Sequence, residues 1–144
     1  DTCTQAIAQY RRFFADFDPE KAREMITFFG LPTDKTLKEM SKGMREKVQI
    51  ALAMSREAKV YLLDEPISGV DPASRSVILN GIIRNFSPES LLMISTHLIH
   101  DVEPVIDSAV FLRHGKILLS GDADDLRDEY KCGLDAIFRK VYAS

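Results

Sequence analysis

Val60-Tyr61-Leu62-Leu63-Asp64-Glu65-Pro66, followed after Ile67 by Ser68-Gly69-Val70-Asp71, is the stretch whose reading decides the fold. Four apolar residues in a row form a short buried strand, and that strand delivers two adjacent carboxylates into a glycine-containing loop. A strand ending in Asp64 can hold a magnesium ion through water. The next carboxylate, Glu65, points the other way, where it can orient or deprotonate a water attacking a phosphate. Taken alone, Asp-Glu-Pro also reads as a strand ending in a turn. The loop that would cradle phosphates, G-x-x-x-x-G-K-[ST], is missing: the Gly115-Lys116 pair is followed by Ile117 and has Val110 where the first glycine belongs.

Downstream, a second apolar run, Leu91 to Ser95, leads through Thr96 to His97. In a parallel sheet His97 emerges at the same carboxyl edge as Asp64 and Glu65, the edge at which open α/β sheets bind ligands. A neutral imidazole there can hydrogen-bond a phosphate oxygen. His100 and His114 read as a helix-surface residue and a turn residue. Between the runs, Asp71-Pro72 opens a helix carrying Val77, Ile78, Ile82 and Ile83 inward and ending near Ser87-Pro88. Such alternation predicts a largely parallel sheet covered on both faces. Ala109–Arg113 and Lys116–Leu119, joined by His114-Gly115, read as a hairpin. Two C-terminal helices follow, one capped by Asp122 and one bearing Leu134, Ile137, Phe138 and Val141.

Upstream, the chain reads as helical. Ala6, Ile7, Tyr10, Phe13, Phe14 and Phe17 recur at helical spacing, with Gln5 and Gln9 on the surface. Asp18-Pro19-Glu20 starts a second helix that buries Ala22, Met25, Ile26 and Phe29 and stops at Gly30. Most of Phe13, Phe14, Phe28 and Phe29 are expected in a core. Ser41 caps a third helix running to about Arg56, with Met44, Val48, Leu52 and Met54 inward. Ser41-Lys42-Gly43-Met44 is also an anion site in principle, because unpaired amides and the helix dipole favour negative charge; alone it reads as an ordinary cap.

The bulk properties narrow the function classes. The 144 residues carry a net charge of −3 with no basic stripe, so nucleic acid is not the expected partner. Such a length buries about two-thirds of the unfolded surface. Cys3 and Cys132 have no C-x-x-C spacing and read as free thiols of a reducing compartment. No apolar run approaches the roughly 20 residues that cross a bilayer.

Taken in order, these motifs resemble those of the ATP-binding cassette (ABC) ATPases, the nucleotide-binding subunits of ABC transporters. Met40-Ser41-Lys42-Gly43-Met44 is similar to the signature L-S-G-G-Q, Tyr61 to Pro66 to Walker B with its glutamate, Ser68-Gly69-Val70-Asp71 to the D-loop, and Thr96-His97 to the switch histidine. The resemblance covers nearly the whole chain. It implies an α/β, P-loop NTPase-like cassette fragment: a helical subdomain over 1–57, then over 58–144 part of a mainly parallel sheet with helices and a hairpin.

The resemblance also implies a head-to-tail dimer with a second ABC ATPase subunit, ATP being sandwiched between Walker A of one subunit and the signature of the other. Ser41, Lys42, Gly43 and Met44 would then face nucleotide, Asp64 would serve Mg2+, Glu65 would act as base, Asp71 would communicate across the interface, and His97 would sense the γ-phosphate. A transmembrane permease would complete the assembly, placing the subunit in the cytoplasm on the inner face of the membrane. Two departures stand out. Lys42 replaces the first signature glycine and Met44 the glutamine, a variant associated with some bacterial exporter ATPases. Walker A, the adenine-stacking aromatic and the Q-loop glutamine are missing, so the chain reads as a C-terminal fragment of a longer subunit, inactive alone. A non-transport ABC ATPase and a binding-only cassette relic are the alternatives.

Overall fold

The computed structural model describes residues 1–143, which form two compact units, 1–97 and 98–143. In the first, helices α1 (Cys3–Phe13), α2 (Pro19–Phe28) and α3 (Lys42–Met54) precede strand β1 (Val60–Asp64), helix α4 (Pro72–Asn85) and strand β2 (Leu91–Ser95). Local chemistry starts each helix. Thr2 and Gln5 form a capping box on α1, Asp18 accepts from the Glu20 and Lys21 amides, and Ser41 and Asp71 accept from the amides of Met44 and Ser74. Helix α2 ends at Gly30, whose φ of +66° is a conformation that a side chain resists.

Met25, Ala22 and Ile26 of α2, Val48, Ala51 and Met54 of α3, and Ile78 and Ile82 of α4 make the core of this unit. Aromatic periodicity overruns the first helix. The helix stops at Phe13, which is 80% exposed, and Phe28 is exposed as well, so the expectation that most of these four phenylalanines are core does not hold. The chain turns there because residues 16–18 pair with the end of α3. Asp18 N–H donates to the Ser55 carbonyl, Glu57 N–H donates to the Asp16 carbonyl, and the Arg56 guanidinium grips both Asp16 carboxylate oxygens at 3.0 and 3.1 Å. Phe17 is thereby buried and Arg56 lies 4.0 Å over the Phe14 ring.

Strands β1 and β2 pair in parallel, Val60 opposite Leu91 through Asp64 opposite Ser95. Tyr61 is buried, while Val60, Leu62, Leu91 and Met93 on the other face are exposed. The expected two-sided burial is therefore one-sided among the described residues. Side chains of a strand alternate between faces, and only the Tyr61 side is covered.

The second unit holds a short helix α5 (Ile99–Val102), a hairpin of β3 (Ser108–Arg113) and β4 (Lys116–Asp122), and helices α6 (Ala123–Tyr130) and α7 (Leu134–Ala143). His114 and Gly115 both have positive φ, the requirement of a two-residue hairpin turn. The pairing steps from Phe111–Leu119 to Leu112–Ile117, which leaves Leu118 as the extra residue of a bulge. Phe111, Leu126, Leu134 and Ile137 form the core. Glu103 clamps it: one carboxylate oxygen accepts from the Leu134 amide at 2.9 Å, the other from Arg127 at 3.0 Å.

Candidate functional site

The carboxyl ends of β1 and β2 carry the chemistry. Glu65 N–H donates to the Ser95 carbonyl at 2.7 Å, so the parallel ladder continues one step beyond β1 and fixes Glu65 beside the end of β2. Its carboxylate Oε1 then lies 3.0 Å from His97 Nδ1, and a ring N–H at that nitrogen is the donor to the carboxylate. Glu65 Oε2 is buried and has no hydrogen-bond partner among the described residues. Glu65 also adopts φ +47°, the left-handed region that a residue with a Cβ enters against steric resistance. A strained, half-satisfied carboxylate aimed at a sheet edge is an arrangement that packing alone does not favour.

Asp64, one residue earlier, lies on the opposite side of the strand and accepts from Ser95 Oγ across the parallel pair. Ser95 was not singled out by sequence reading; its register opposite Asp64, two residues before His97, is the signal that could have found it. Among the described residues no three carboxylate, His or Cys side chains cluster around a metal position. Asp64 is exposed and offers a hard oxygen of the kind magnesium takes, the ion's remaining positions going to water and phosphate oxygens when it is bound.

Ser41 Oγ accepts from the Met44 amide at 3.2 Å and Met44 is half-buried, so the cap expected from sequence is in place. A side chain at Gly43 would meet nothing within 4 Å, which leaves the backbone there open to approach. Lys42 behaves differently. Its side chain lies across Gly69, with Nζ 3.0 Å from where a Cβ on that glycine would stand. Gly69 has φ +77°, and the loop around it is anchored by buried Ile67 and Val70, with Arg75 donating to the Val70 carbonyl. Asp71 caps α4 with both oxygens, accepting from the Ser74 amide and the Ser74 hydroxyl, and these bonds hold its carboxyl below the usual aspartate range. Gln5 and Gln9 are exposed on α1, Gln5 accepting from the Thr2 amide in the capping box. His100 is exposed on α5 and His114 lies in the hairpin turn. Cys3 and Cys132 are free.

Comparison with known proteins agrees with this geometry. The family described as ABC transporter matches residues 6–68. YxlF of Bacillus subtilis, an uncharacterised ABC transporter ATP-binding protein, is 33% identical over 112 residues, covering 76% of this chain and 38% of its own length. The phosphonates import ATP-binding protein PhnC of Treponema denticola is 30% identical over 134 residues, covering 88% and 52%. The lantibiotic transport ATP-binding protein SrtF of Streptococcus pyogenes is 35% identical over 91 residues, covering 62% and 39%. Among solved structures, an ATP-binding subunit of an ABC transporter superposes with a TM-score of 0.69 at 25% identity, covering 94% of this chain and 55% of that one. The chain thus spans about half or less of the length of these relatives. Sequence match and superposition converge, and the chain belongs to the ABC transporter ATP-binding family.

Proposed function

We propose that the chain provides the signature, Walker B, D-loop and switch-histidine parts of the ATP-hydrolysing subunit of an ABC transporter. The observation that carries this reading is the Glu65–His97 pair at 3.0 Å, with the second Glu65 oxygen buried and unbonded among the described residues. Glu65 accepts the proton of the attacking water. His97 holds Glu65 in orientation from Nδ1–H, and its other ring nitrogen would donate to the γ-phosphate when it too carries a proton. Asp64 would hold Mg2+, which when bound spreads the phosphate charge. Ser41, Lys42, Gly43 and Met44 would form the signature face toward the nucleotide of a partner subunit, and Asp71 would lie in the loop that crosses to that subunit.

The full subunit would act as a head-to-tail dimer beneath a transmembrane permease, on the cytoplasmic side of the membrane. No helix among the described residues is long and apolar enough to cross a membrane. Transport of the exporter type is proposed from the Lys42 and Met44 signature variant. We divide the chain by role into 1–57, bearing the signature and its helix, and 58–144, bearing the hydrolytic residues. Without a phosphate-cradling loop, residues 1–144 alone would not turn over ATP, since that loop supplies most of the positioning for phosphoryl transfer.

In the protein that carries this chain, Glu65→Gln is expected to lower ATP turnover by a factor of about 10² to 10⁴ while leaving ATP-dependent dimerisation in place. Turnover equal to wild type would remove Glu65 from this role.

A further inference from the structure

The two positions at the heart of the signature-like segment have parted company in this chain. Gly43 faces open space, as a backbone that receives a ligand should. Lys42, the first residue of α3, is exposed, yet the end of its side chain lies against another segment. Side chains of a helix lean toward its N-terminus, so a long chain at the first helical position reaches back beyond the helix end. There the Lys42 stem meets Gly69: its Cδ, Cε and Nζ all lie within 4 Å of the space that a Cβ at residue 69 would occupy. Residues 42 and 69 are 27 apart in sequence, and the contact joins the start of α3 to the loop between Glu65 and α4.

Ser68 and Val70 donate within the turn, to the Glu65 and Ile67 carbonyls, both at 3.3 Å, and Gly69 itself is exposed. Gly69 has no side chain with which to hold itself, and long hydrogen bonds open readily.

We propose that Lys42 is a positioning residue that ties the signature segment to the D-loop within one cassette, its methylene stem, rather than its charge, holding the Gly69 peptide in place. The inference rests on the functional reading above, because only there do both segments face a shared nucleotide. On that reading, the position of the signature and the position of the loop leading to Asp71 are set together. A glycine at residue 42 could not couple them in this way.

The test uses the full-length protein and begins without nucleotide. In Lys42→Ala, backbone amides of residues 68–71 should exchange about three- to ten-fold faster than in wild type, since removing the stem uncovers the loop. In Lys42→Met, which keeps an unbranched stem and removes the charge, exchange should stay within about twofold of wild type. Steady-state kinetics should show Lys42→Ala lowering kcat about tenfold with KM for ATP little changed. Unchanged exchange at 68–71 in Lys42→Ala overturns the proposal. So does exchange at 68–71 as fast in Lys42→Met as in Lys42→Ala, which would give the tie to the ammonium rather than to the stem. Because exchange is read without ATP, the tie can fail while the Glu65→Gln result still upholds the functional reading, and the reverse.

Discussion

Replacing Glu65 by glycine should make the protein more stable and inactive, and the structure sets the size of the gain. Glu65 holds φ +47°, which costs a residue bearing a Cβ about 1–2 kcal/mol and costs glycine almost nothing. Its Oε2 is buried without a partner among the described residues, a penalty of about 1–3 kcal/mol that vanishes with the side chain. Against this stand the greater chain entropy of glycine, about 0.5–1 kcal/mol, and the loss of the half-exposed contact with His97, about 0–1 kcal/mol. A net gain of about 2 kcal/mol remains at the centre of these ranges. Urea unfolding at constant slope should register it as a rise in midpoint of roughly 1 M. Glu65→Ala provides the internal control, because it removes the oxygen and keeps the resistance of a Cβ to positive φ; the glycine variant should exceed it by about 1 kcal/mol. A glycine variant no more stable than the alanine one would refute the strain. One less stable than wild type would make Glu65 a structural residue, since groups retained for chemistry are the ones whose removal relieves the fold.

Two further perturbations probe the framework around the site. Gly81 is buried inside α4, and a methyl there would stand 2.6 Å from one carbon of the Phe29 ring and 2.7 Å from another, so Gly81→Ala should destabilise by about 1–2 kcal/mol in urea unfolding, overpacking outweighing the better helix propensity of alanine. A Phe29→Leu change in the same molecule should recover part of that loss, and additive losses would show that the ring is not the obstacle. Arg56 holds the Asp16 carboxyl below the usual aspartate range through their hydrogen bonds. The unfolded chain therefore binds more protons, and the stabilisation present above about pH 4 is lost as pH falls through the folded value. Unfolding midpoints measured from pH 6 to pH 3 should fall less steeply for Asp16→Asn than for wild type; parallel profiles would detach this pair from acid stability.

What the sequence disclosed and what it withheld divide by distance along the chain. The caps at Asp18, Ser41, Asp71 and Asp122 were legible because donor and acceptor lie within three residues of each other, close enough for residue type alone to declare the bond. The strand ending in Asp64 and Glu65 was legible for the same reason. The meeting of Glu65 with His97, 32 residues on, needed one added assumption, that two apolar runs joined by a helix pair in parallel. Where no such rule existed, reading failed. Arg56 with Asp16, 40 residues apart, breaks the aromatic periodicity that had carried the first helix too far. Glu103 reaches the Leu134 amide across 31 residues with no pattern to announce it.

Positive φ at Glu65 is the most instructive omission. Glycine and asparagine advertise that conformation; glutamate does not, so the sequence contains no local cause for it. The cause is the ladder. Bonding of the Glu65 amide to the Ser95 carbonyl extends the strand, and the turn closed by Ser68 N–H on the Glu65 carbonyl begins at that same residue. One residue must serve as both the last rung and the first corner, and left-handed backbone is how it does so. A glycine would satisfy that geometry at less expense, so a carboxylate at this corner points to a use for the side chain itself. The backbone thus supplies support, independent of any motif, for the role proposed for Glu65: a carboxylate occupies a corner that glycine would fill with less strain.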